Sequence, residues 1–474
     1  MSTDPRTFDV VVVGGGPGGY AAALYGASAG LNVALVERDK VGGTCLHRGC
    51  IPAKEFLETA STWRTVAGAV EFGIAAGGDP EIDFSVSQAR KANVVDLLFK
   101  GLAGTLKNRK VTVLSGTGRL GADRTVEILD GEDAGTLLQG DAVVLAPGSV
   151  PRTLPGLDVD GRLVVTSDEF LDLDQLPRSA AVVGGGAIGC EFASMLSDLG
   201  VAVTVVEGME SILSGCDRDV TAVIARSFKK RKITVLTSST VLGHQPNSDA
   251  TATSLLVDGI DPLLVEMIVV SVGRRPLTEN LVTHDAGVTI DDRGFVQTDQ
   301  LGRTSASGVY AVGDVVAGSP QLAHVGFAEA VVVVKDILGE DPTPVDYERV
   351  PWAIYCHPEV AFAGLTEDQA IEQGFDVVTK KDPFGGNGRA RIIGETEGMV
   401  KVVAERRPDG TAGRVLGVHM VGPWVTEQLG AGYLAVNWEA TVDEVAQFLM
   451  PHPSLSETFG ETMIALTGRG LHVG

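Results

Sequence analysis

The sequence has no long apolar run, almost no cationic tract and few cysteines, and each shortage removes a class of function. Nowhere do about 18 apolar residues follow one another, which excludes a hydrophobic helix spanning a membrane. The opening Met1-Ser-Thr-Asp-Pro-Arg has no charged-then-apolar leader, so the expected location is the cytoplasm, or a compartment entered with loss of a transit peptide. Against a net charge of −23 stands one basic run, Lys229-Lys230-Arg231-Lys232. Nucleic acid is therefore not an expected partner, since binding it takes a cationic surface to displace counterions. The acidic surplus suits a basic protein surface or plain solubility. The five cysteines, Cys45, Cys50, Cys190, Cys216 and Cys356, are an odd and sparse set, unlike a secreted disulfide framework. No second close pair and no His/Cys cluster completes four ligands, so no metal is expected.

Glycine, by contrast, is abundant: 60 of the 474 residues, as in a chain whose backbone approaches ligands closely at several places. The length suits about three domains of roughly 100–200 residues each. A hydrophobic share of 44% with 21% charged residues marks the chain as globular.

Many of these glycines fall into two copies of one pattern. Val10–Val13 leads into Gly14-x-Gly16-x-x-Gly19, with Glu37 further on; Ala181–Val183 leads into Gly184-x-Gly186-x-x-Gly189, with Glu207 further on. The interval from first glycine to acid is the same in both. A lone fingerprint is weak, because glycines also close ordinary turns. Here each copy follows a β-branched run, opens a helix and has its acid at the end of the next strand. The glycines let the backbone approach a pyrophosphate at the helix N-terminus, and the acid accepts from the ribose hydroxyls. Two nucleotide sites are expected. Glu207 points to NAD over NADP, because a 2′-phosphate would face a carboxylate and Gly208-Met209-Glu210 offers no arginine.

The periodicity predicts strands at 8–13 and 31–36 around a helix at 17–29, a first βαβ unit, repeated over 180–207. Helices are expected at 56–66 and 85–108, and strands at 111–114 and 142–145. Proline and glycine near Pro151–Gly156 mark a boundary. The second unit ends near Ser271-Val272-Gly273-Arg274-Arg275-Pro276, after which Gly308–Asp314 supplies a strand and a Gly-Asp turn before a helix at 322–338. The first domain thus resumes after the second. From about 347 the character changes: Met399–Glu405 and Arg414–Met420 flank the turn chemistry of Pro408-Asp409-Gly410, and helices follow at 424–438 and 441–449. The expected domains are 1–150, 151–276, 277–346 as the continuation of the first, and 347–474.

Between the fingerprints lies Gly42-Gly43-Thr44-Cys45-Leu46-His47-Arg48-Gly49-Cys50-Ile51-Pro52-Ala53-Lys54. Two cysteines five apart in a regular helix are too far to bridge, since a disulfide needs Cα atoms within about 7 Å. Gly49 and Pro52 permit an irregular turn that brings the sulfurs together, and a helix N-terminus favours thiolates. On chemistry alone a redox pair and two unrelated thiols both remain open.

In order along the chain, the first fingerprint, this dithiol segment, the second fingerprint, Ala311-Val312-Gly313-Asp314 and His452-Pro453-Ser454-Leu455-Ser456-Glu457 resemble the flavin-dependent pyridine nucleotide-disulfide oxidoreductases over nearly the whole length. The resemblance implies an α/β fold with two Rossmann-like dinucleotide-binding domains, the NAD domain inserted in the FAD domain, and a C-terminal α+β dimerisation domain. It implies that Gly14, Gly16, Gly19 and Glu37 hold FAD, helped by Thr44, Gly118 and Ser149, with Asp314 on the flavin's linking chain. Lys54 would lie against the flavin and pair with Glu191. Gly184, Gly186, Gly189, Glu207 and Gly273 would hold NAD. Cys45 and Cys50 would exchange electrons with a dithiol substrate, His452 would take its proton, and Glu457 would orient His452. In bland terms Gly-Asp is a turn, Lys54 and Glu191 a solvated ion pair, and any one of the eight histidines structural, as His324, His357 and His419 are read to be. The family's His–Glu pair comes from the other subunit, so a homodimer through 347–474 is implied.

Within the family, Leu466–Gly474 has no cysteine, which counts against mercuric reductases and large thioredoxin reductases, and Glu207 disfavours NADP users. Leu455 and Ile51-Pro52-Ala53-Lys54 resemble the dihydrolipoyl-oxidising branch, whose partners are the lipoyl domains of 2-oxoacid dehydrogenase or glycine cleavage complexes. The alternative is an NAD(P)H-dependent reductase of another low-molecular-weight disulfide. Departures are His47-Arg48 in the dithiol loop, Pro147 in Ala146-Pro147-Gly148, and Met450-Pro451 before His452.

Overall fold

The computed structural model describes residues 5–75 and 81–472. Met1–Asp4 of the opening segment, and Val473 and Gly474 of the cysteine-free tail, lie outside them. The chain divides into two compact units: Met1–Phe56, Asp83–Arg152 and Gly273–Tyr347 form one, and Leu57–Ile82, Thr153–Val272 and Glu348–Gly474 the other.

In the first unit, Arg6–Val13 pairs in parallel with Val33–Glu37 on one side and Leu137–Leu145 on the other. Val10 to Val13 are all buried, as a strand covered on both faces requires. Thr112–Ser115 extends the parallel edge. Leu137–Leu145 is long enough to take two partners on its other side: Thr125–Ile128, antiparallel, along its first residues, and Val309–Ala311, parallel, along its last. The chain therefore returns to the first sheet after leaving it. Helices Pro17–Ser28 and Ala323–Ile337 approach closely through glycine, since a Cβ on Gly18 would stand 3.4 Å from the Gly326 carbonyl.

The second unit repeats the parallel plan with Thr234–Leu236, Ala202–Val206, Ser179–Val183, Met267–Val270 and Val164–Val165 in that order. It adds an antiparallel sheet of Trp352–Ile354, Glu359–Gly364, Ala412–Gly422, Met399–Arg406 and Val377–Pro383. The expected hairpin is present: Asp409 accepts from the Thr411 amide and hydroxyl, and Gly410 takes φ +86°. The helix expected at 441–449 is shorter. A capping box between Thr441 and Glu444 starts it, and it stops at Val445, short of Pro451 and the restricted residue before it. The helix expected from 424 begins at Val425, because Trp424 takes a left-handed conformation.

A lysine lies deep in this unit. Lys401, on Met399–Arg406, is fully buried, and its Nζ bonds Asp217 Oδ1 and Oδ2 at 3.0 and 2.9 Å, Asp219 at 2.7 Å and Glu367 at 2.7 Å. It ties the N-terminus of helix Arg218–Lys230, capped by Asp217, to the antiparallel sheet.

Candidate functional site

The two glycine fingerprints have the same geometry, and their glycines do different work. A Cβ on Gly14 would stand 2.1 Å from the Ala146 carbonyl oxygen, and one on Gly19 1.8 Å from that of Gly14. Those positions are small because protein backbone fills the space. Gly16 differs: its φ of −69° suits any residue and a Cβ there meets nothing within 4 Å. It caps helix Pro17–Ser28 with no side-chain cap, leaving open space before free amides. Glu37, at the end of Val33–Glu37, accepts from the Gly15 amide at 2.6 Å and the Asp39 amide at 2.9 Å. Burial raises its carboxyl above its ordinary value, against the Gly15 amide and the charges of Arg38 and Arg48.

In the second copy, Cβ atoms on Gly184 and Gly189 would strike the Ser271 and Gly184 carbonyls at 2.4 and 1.9 Å, while Gly186 faces open space. Glu207 accepts from Gly185 at 2.6 Å and Met209 at 2.7 Å. Gly273, at φ +94°, also meets nothing within 4 Å. Two cradles that a Cβ would fill, each with an uncapped helix N-terminus and a strand-end acid, fit two dinucleotides.

The dithiol segment is packed on the first cradle. The Gly42 amide donates to the Gly15 carbonyl at 2.7 Å, and a Cβ on Gly43 would stand 2.7 Å from Gly16 Cα. The irregular turn expected near Gly49 is a full break: Thr44 and Cys45 lie in the five-residue helix Gly43–His47, Arg48 departs to φ −140°, and Cys50 begins helix Cys50–Gly68. Cys50 therefore takes the helix N-terminal position that favours negative charge, and Cys45 does not. Both are thiols here. The hydrogen bond with Cys50 and burial push the Cys45 thiol well up, while the Lys54 ammonium pulls the other way. The departing residues are anchored: His47 bonds the Val41 carbonyl at 3.0 Å and meets Phe99 edge-on, and Arg48 pairs with Asp39.

Asp314 follows Gly313, which has φ +77° and open space beyond its Cα. The Ser149 hydroxyl donates to Asp314 at 2.5 Å, and Arg274 donates to that hydroxyl at 2.7 Å and to the Ser149 carbonyl at 2.8 Å. Behind the turn, buried Glu329 accepts from the Gly313 amide at 2.5 Å, the Ser319 hydroxyl at 2.5 Å and the Tyr347 hydroxyl at 2.7 Å, and burial raises its carboxyl. The sequence reading missed Arg274 and Glu329. Arg274 directly follows Gly273, and Glu329 is an acid inside an otherwise apolar helix face, so both carried a signal. Gly118 is buried against Val13 and Val36, beginning the strand Gly118–Leu120.

In the second unit, Glu191 is buried on helix Ala187–Asp198 and accepts from the Tyr355 amide at 2.9 Å. Lys54, on helix Cys50–Gly68, belongs to the first unit. His452 Nδ1 meets Glu457 Oε1 at 2.7 Å, and the Ser454 amide donates to Oε2 at 2.7 Å. Burial by itself would raise the Glu457 carboxyl; the Ser454 amide and His452 outweigh it and hold it below the usual range. The His452 side chain is 80% exposed. His419 is instead buried in the sheet with its Nε2 on the Leu365 carbonyl at 2.9 Å, and half-buried His357 has its amide on Ser194 at 2.8 Å.

Residues 8–330 match the family described as pyridine nucleotide-disulphide oxidoreductase, and residues 350–463 match the dimerisation domain of that family. A dihydrolipoyl dehydrogenase of Bacillus subtilis is 40% identical, covering 98% of this chain and 99% of its own. That of Thermus scotoductus is 38% identical, covering 99% of both chains. Among solved structures, LpdA from Mycobacterium tuberculosis aligns with a TM-score of 0.89 at 26% identity over 97% of this chain and 99% of its own. The HOCl-induced flavoprotein disulfide reductase RclA from Escherichia coli aligns with a TM-score of 0.85 at 25% identity over 96% of this chain and 99% of its own. With its doubled nucleotide cradle, its dithiol on the first of them and its C-terminal antiparallel sheet, the chain belongs to the pyridine nucleotide-disulphide oxidoreductases.

Proposed function

We propose that this chain oxidises protein-bound dihydrolipoyl groups to lipoyl groups and reduces NAD, through the Cys45–Cys50 pair and FAD. The observation that carries this reading is the packing of Gly42 and Gly43 onto Gly15 and Gly16, which delivers a dithiol to a dinucleotide cradle. The names of the curated relatives supply the substrate class.

Gly14, Gly16, Gly19 and Glu37 would hold FAD, Gly16 through its open face and Gly14 and Gly19 by shaping the turn, with Thr44, Gly118 and Ser149 helping and Asp314 bonding the linking chain. Gly184, Gly186, Gly189, Glu207 and Gly273 would hold NAD, Gly184 and Gly189 by shaping the turn. FAD, when bound, supplies the two-electron relay between the dithiol and NAD. Lys54 would set the charge near the flavin. His452, oriented by Glu457, takes a proton from the substrate dithiol as a positioned general base. The substrate thiolate attacks Cys45 of the Cys45–Cys50 disulfide, forming a mixed disulfide and releasing Cys50 as thiolate. The second substrate thiol then closes the lipoyl ring and frees Cys45. The two working halves meet across a homodimer, and the lipoyl group arrives on the lipoyl domain of a 2-oxoacid dehydrogenase or glycine cleavage complex in the cytoplasm. Among the described residues no helix is long and apolar enough to cross a membrane.

The test is NADH formation from dihydrolipoamide and NAD by the purified flavoprotein. Replacing Cys50→Ser is expected to abolish turnover and leave FAD bound; turnover that survives refutes the dithiol assignment. A second reading, reduction of another small disulfide with a nicotinamide coenzyme, draws on the likeness to RclA. It prevails if the holoprotein makes no NADH from dihydrolipoamide but consumes NADH with such a disulfide.

A further inference from the structure

The exposed His452 ring is oriented by the Glu457 carboxylate, so whatever places Glu457 places the base. Glu457 opens helix Glu457–Leu466, and the turn before it runs from His452 through buried Leu455. Leu455 and Phe459 share a hydrophobic cluster with Phe384, which lies in the short turn Phe384–Gly386. Apolar packing therefore brings this turn beside the His452–Glu457 segment, but side-chain packing alone leaves the rotation of a loop soft. The polar link between them is Asn387. Its Oδ1 accepts from the Ala390 amide at 2.9 Å and caps helix Gly388–Ile392. Its Nδ2 donates to the Ser454 carbonyl at 2.9 Å and to the Thr458 hydroxyl at 3.1 Å. Those two acceptors bracket Glu457: the Ser454 amide holds Glu457 Oε2, and Thr458 is its neighbour on the helix.

We propose that Asn387 is a positioning residue for the proton-transfer pair, clamping both sides of the segment that carries Glu457 and so fixing the direction of the His452 ring. This rests on the reading of His452 as the base. The two ends of the asparagine amide do separate jobs, which makes them separable by substitution. Asp at position 387 keeps an oxygen for the Ala390 amide, so the helix cap persists. It replaces the Nδ2 donor with a second acceptor facing the Ser454 carbonyl, so that arm of the clamp is lost and its contact becomes repulsive, while the Thr458 hydroxyl can turn to donate.

The experiment uses the holoenzyme and takes the ratio of two turnovers: dihydrolipoamide oxidation by NAD, and ferricyanide reduction by NADH, which draws electrons from the flavin without needing His452. Loss of folded or flavin-loaded protein lowers both and leaves the ratio unchanged. Asn387→Asp is expected to lower the ratio between about 10- and 100-fold, the scale of a small misplacement of a reacting group. Thr458→Val, which removes one acceptor while keeping the shape of a buried side chain, is expected to lower it less, and carries the test if Asn387→Asp does not fold. A normal ratio in these variants, with His452→Gln crippling dihydrolipoamide oxidation, overturns the role given to Asn387. A normal ratio in His452→Gln overturns the reading of the base itself, and the Asn387 proposal falls with it.

Discussion

Glu457 divides its carboxylate between two duties: one oxygen meets His452 Nδ1 at 2.7 Å and the other takes the Ser454 amide at 2.7 Å. In the proposed mechanism the ring nitrogen facing away from Glu457 would be the one that meets the substrate. His452→Gln is expected to lower kcat for dihydrolipoamide oxidation by about 10²–10⁴-fold, the usual yield of a positioned acid–base group. Glu457→Gln keeps the shape and loses the charge, so its loss should be smaller. Equal rates for Glu457→Gln and the parent protein would remove the orienting role.

The open glycines separate the two nucleotide sites. Gly16→Ala and Gly186→Ala put a methyl into space that no protein atom occupies, on backbone that alanine accepts. The first should shed FAD, seen as loss of bound flavin on purification or dilution. The second should keep FAD and raise KM for NAD by about tenfold, a change of about 1.4 kcal/mol. Gly19→Ala and Gly189→Ala, whose Cβ atoms would lie 1.8 and 1.9 Å from carbonyl oxygens, should fail at folding.

Arg274 braces Ser149, and Ser149 bonds Asp314. Arg274→Met is therefore expected to speed FAD release from the holoprotein, followed as free-flavin fluorescence, whereas Arg275→Met, on an exposed pair with Glu279, should not.

Removing Lys401 would leave Asp217, Asp219 and Glu367 facing one another with their central cation gone. Lys401→Met should cost about 3–5 kcal/mol, the usual penalty for breaking a buried pair, and calorimetry should show a Tm lower by about 3–5 °C. Lys381→Met, on the half-exposed pair with Asp219, should change stability by less than about 1 kcal/mol.

Acid should act through His357. Burial, then Arg64, Arg231 and Lys230, push its imidazole down to about 3, while an unfolded histidine titrates near 6.5. Between those values the unfolded chain binds a proton that the folded chain refuses. The stability is fully present above about pH 6.5 and falls as pH drops toward 3, by at most about 1.4 kcal/mol per pH unit. His357→Gln should flatten the dependence of Tm on pH between 7 and about 4; an unchanged slope would place the acid sensitivity elsewhere.

How much of this was readable before folding depended on how local the physics is. The βαβ units were, because buried parallel strands and glycine turns write themselves into contiguous residues such as Val10–Gly19. The dithiol was readable as a segment, but the helix break at Arg48 was not, since it depends on Gly42 and Gly43 docking on Gly15 and Gly16. Arg274, Glu329 and Asn387 were missed for a common reason. Each acts on residues far along the chain, Ser149, Gly313 and Ser454, and no periodicity announces such a partner. The helix ending at Val445 was overextended because helical spacing continues past its C-cap at Ala446.

Glu37 and Glu207 each grip their own loop with both oxygens, one on the glycine turn and one two residues further on. Each acid is thus oriented by the folded chain in advance, and under the proposed assignment a nucleotide would meet a carboxylate whose rotamer freedom, about 0.5–1.5 kcal/mol, is already lost. Coenzyme preference is for the same reason hard to rewrite. An arginine at position 207 would welcome a 2′-phosphate and at once strip the Gly185 and Met209 amides of their acceptor. If Glu207 reads the ribose as proposed, a switch to the phosphorylated coenzyme would need compensating changes in the loop, and the architecture of the turn would guard the choice of NAD as well as the charge of one side chain.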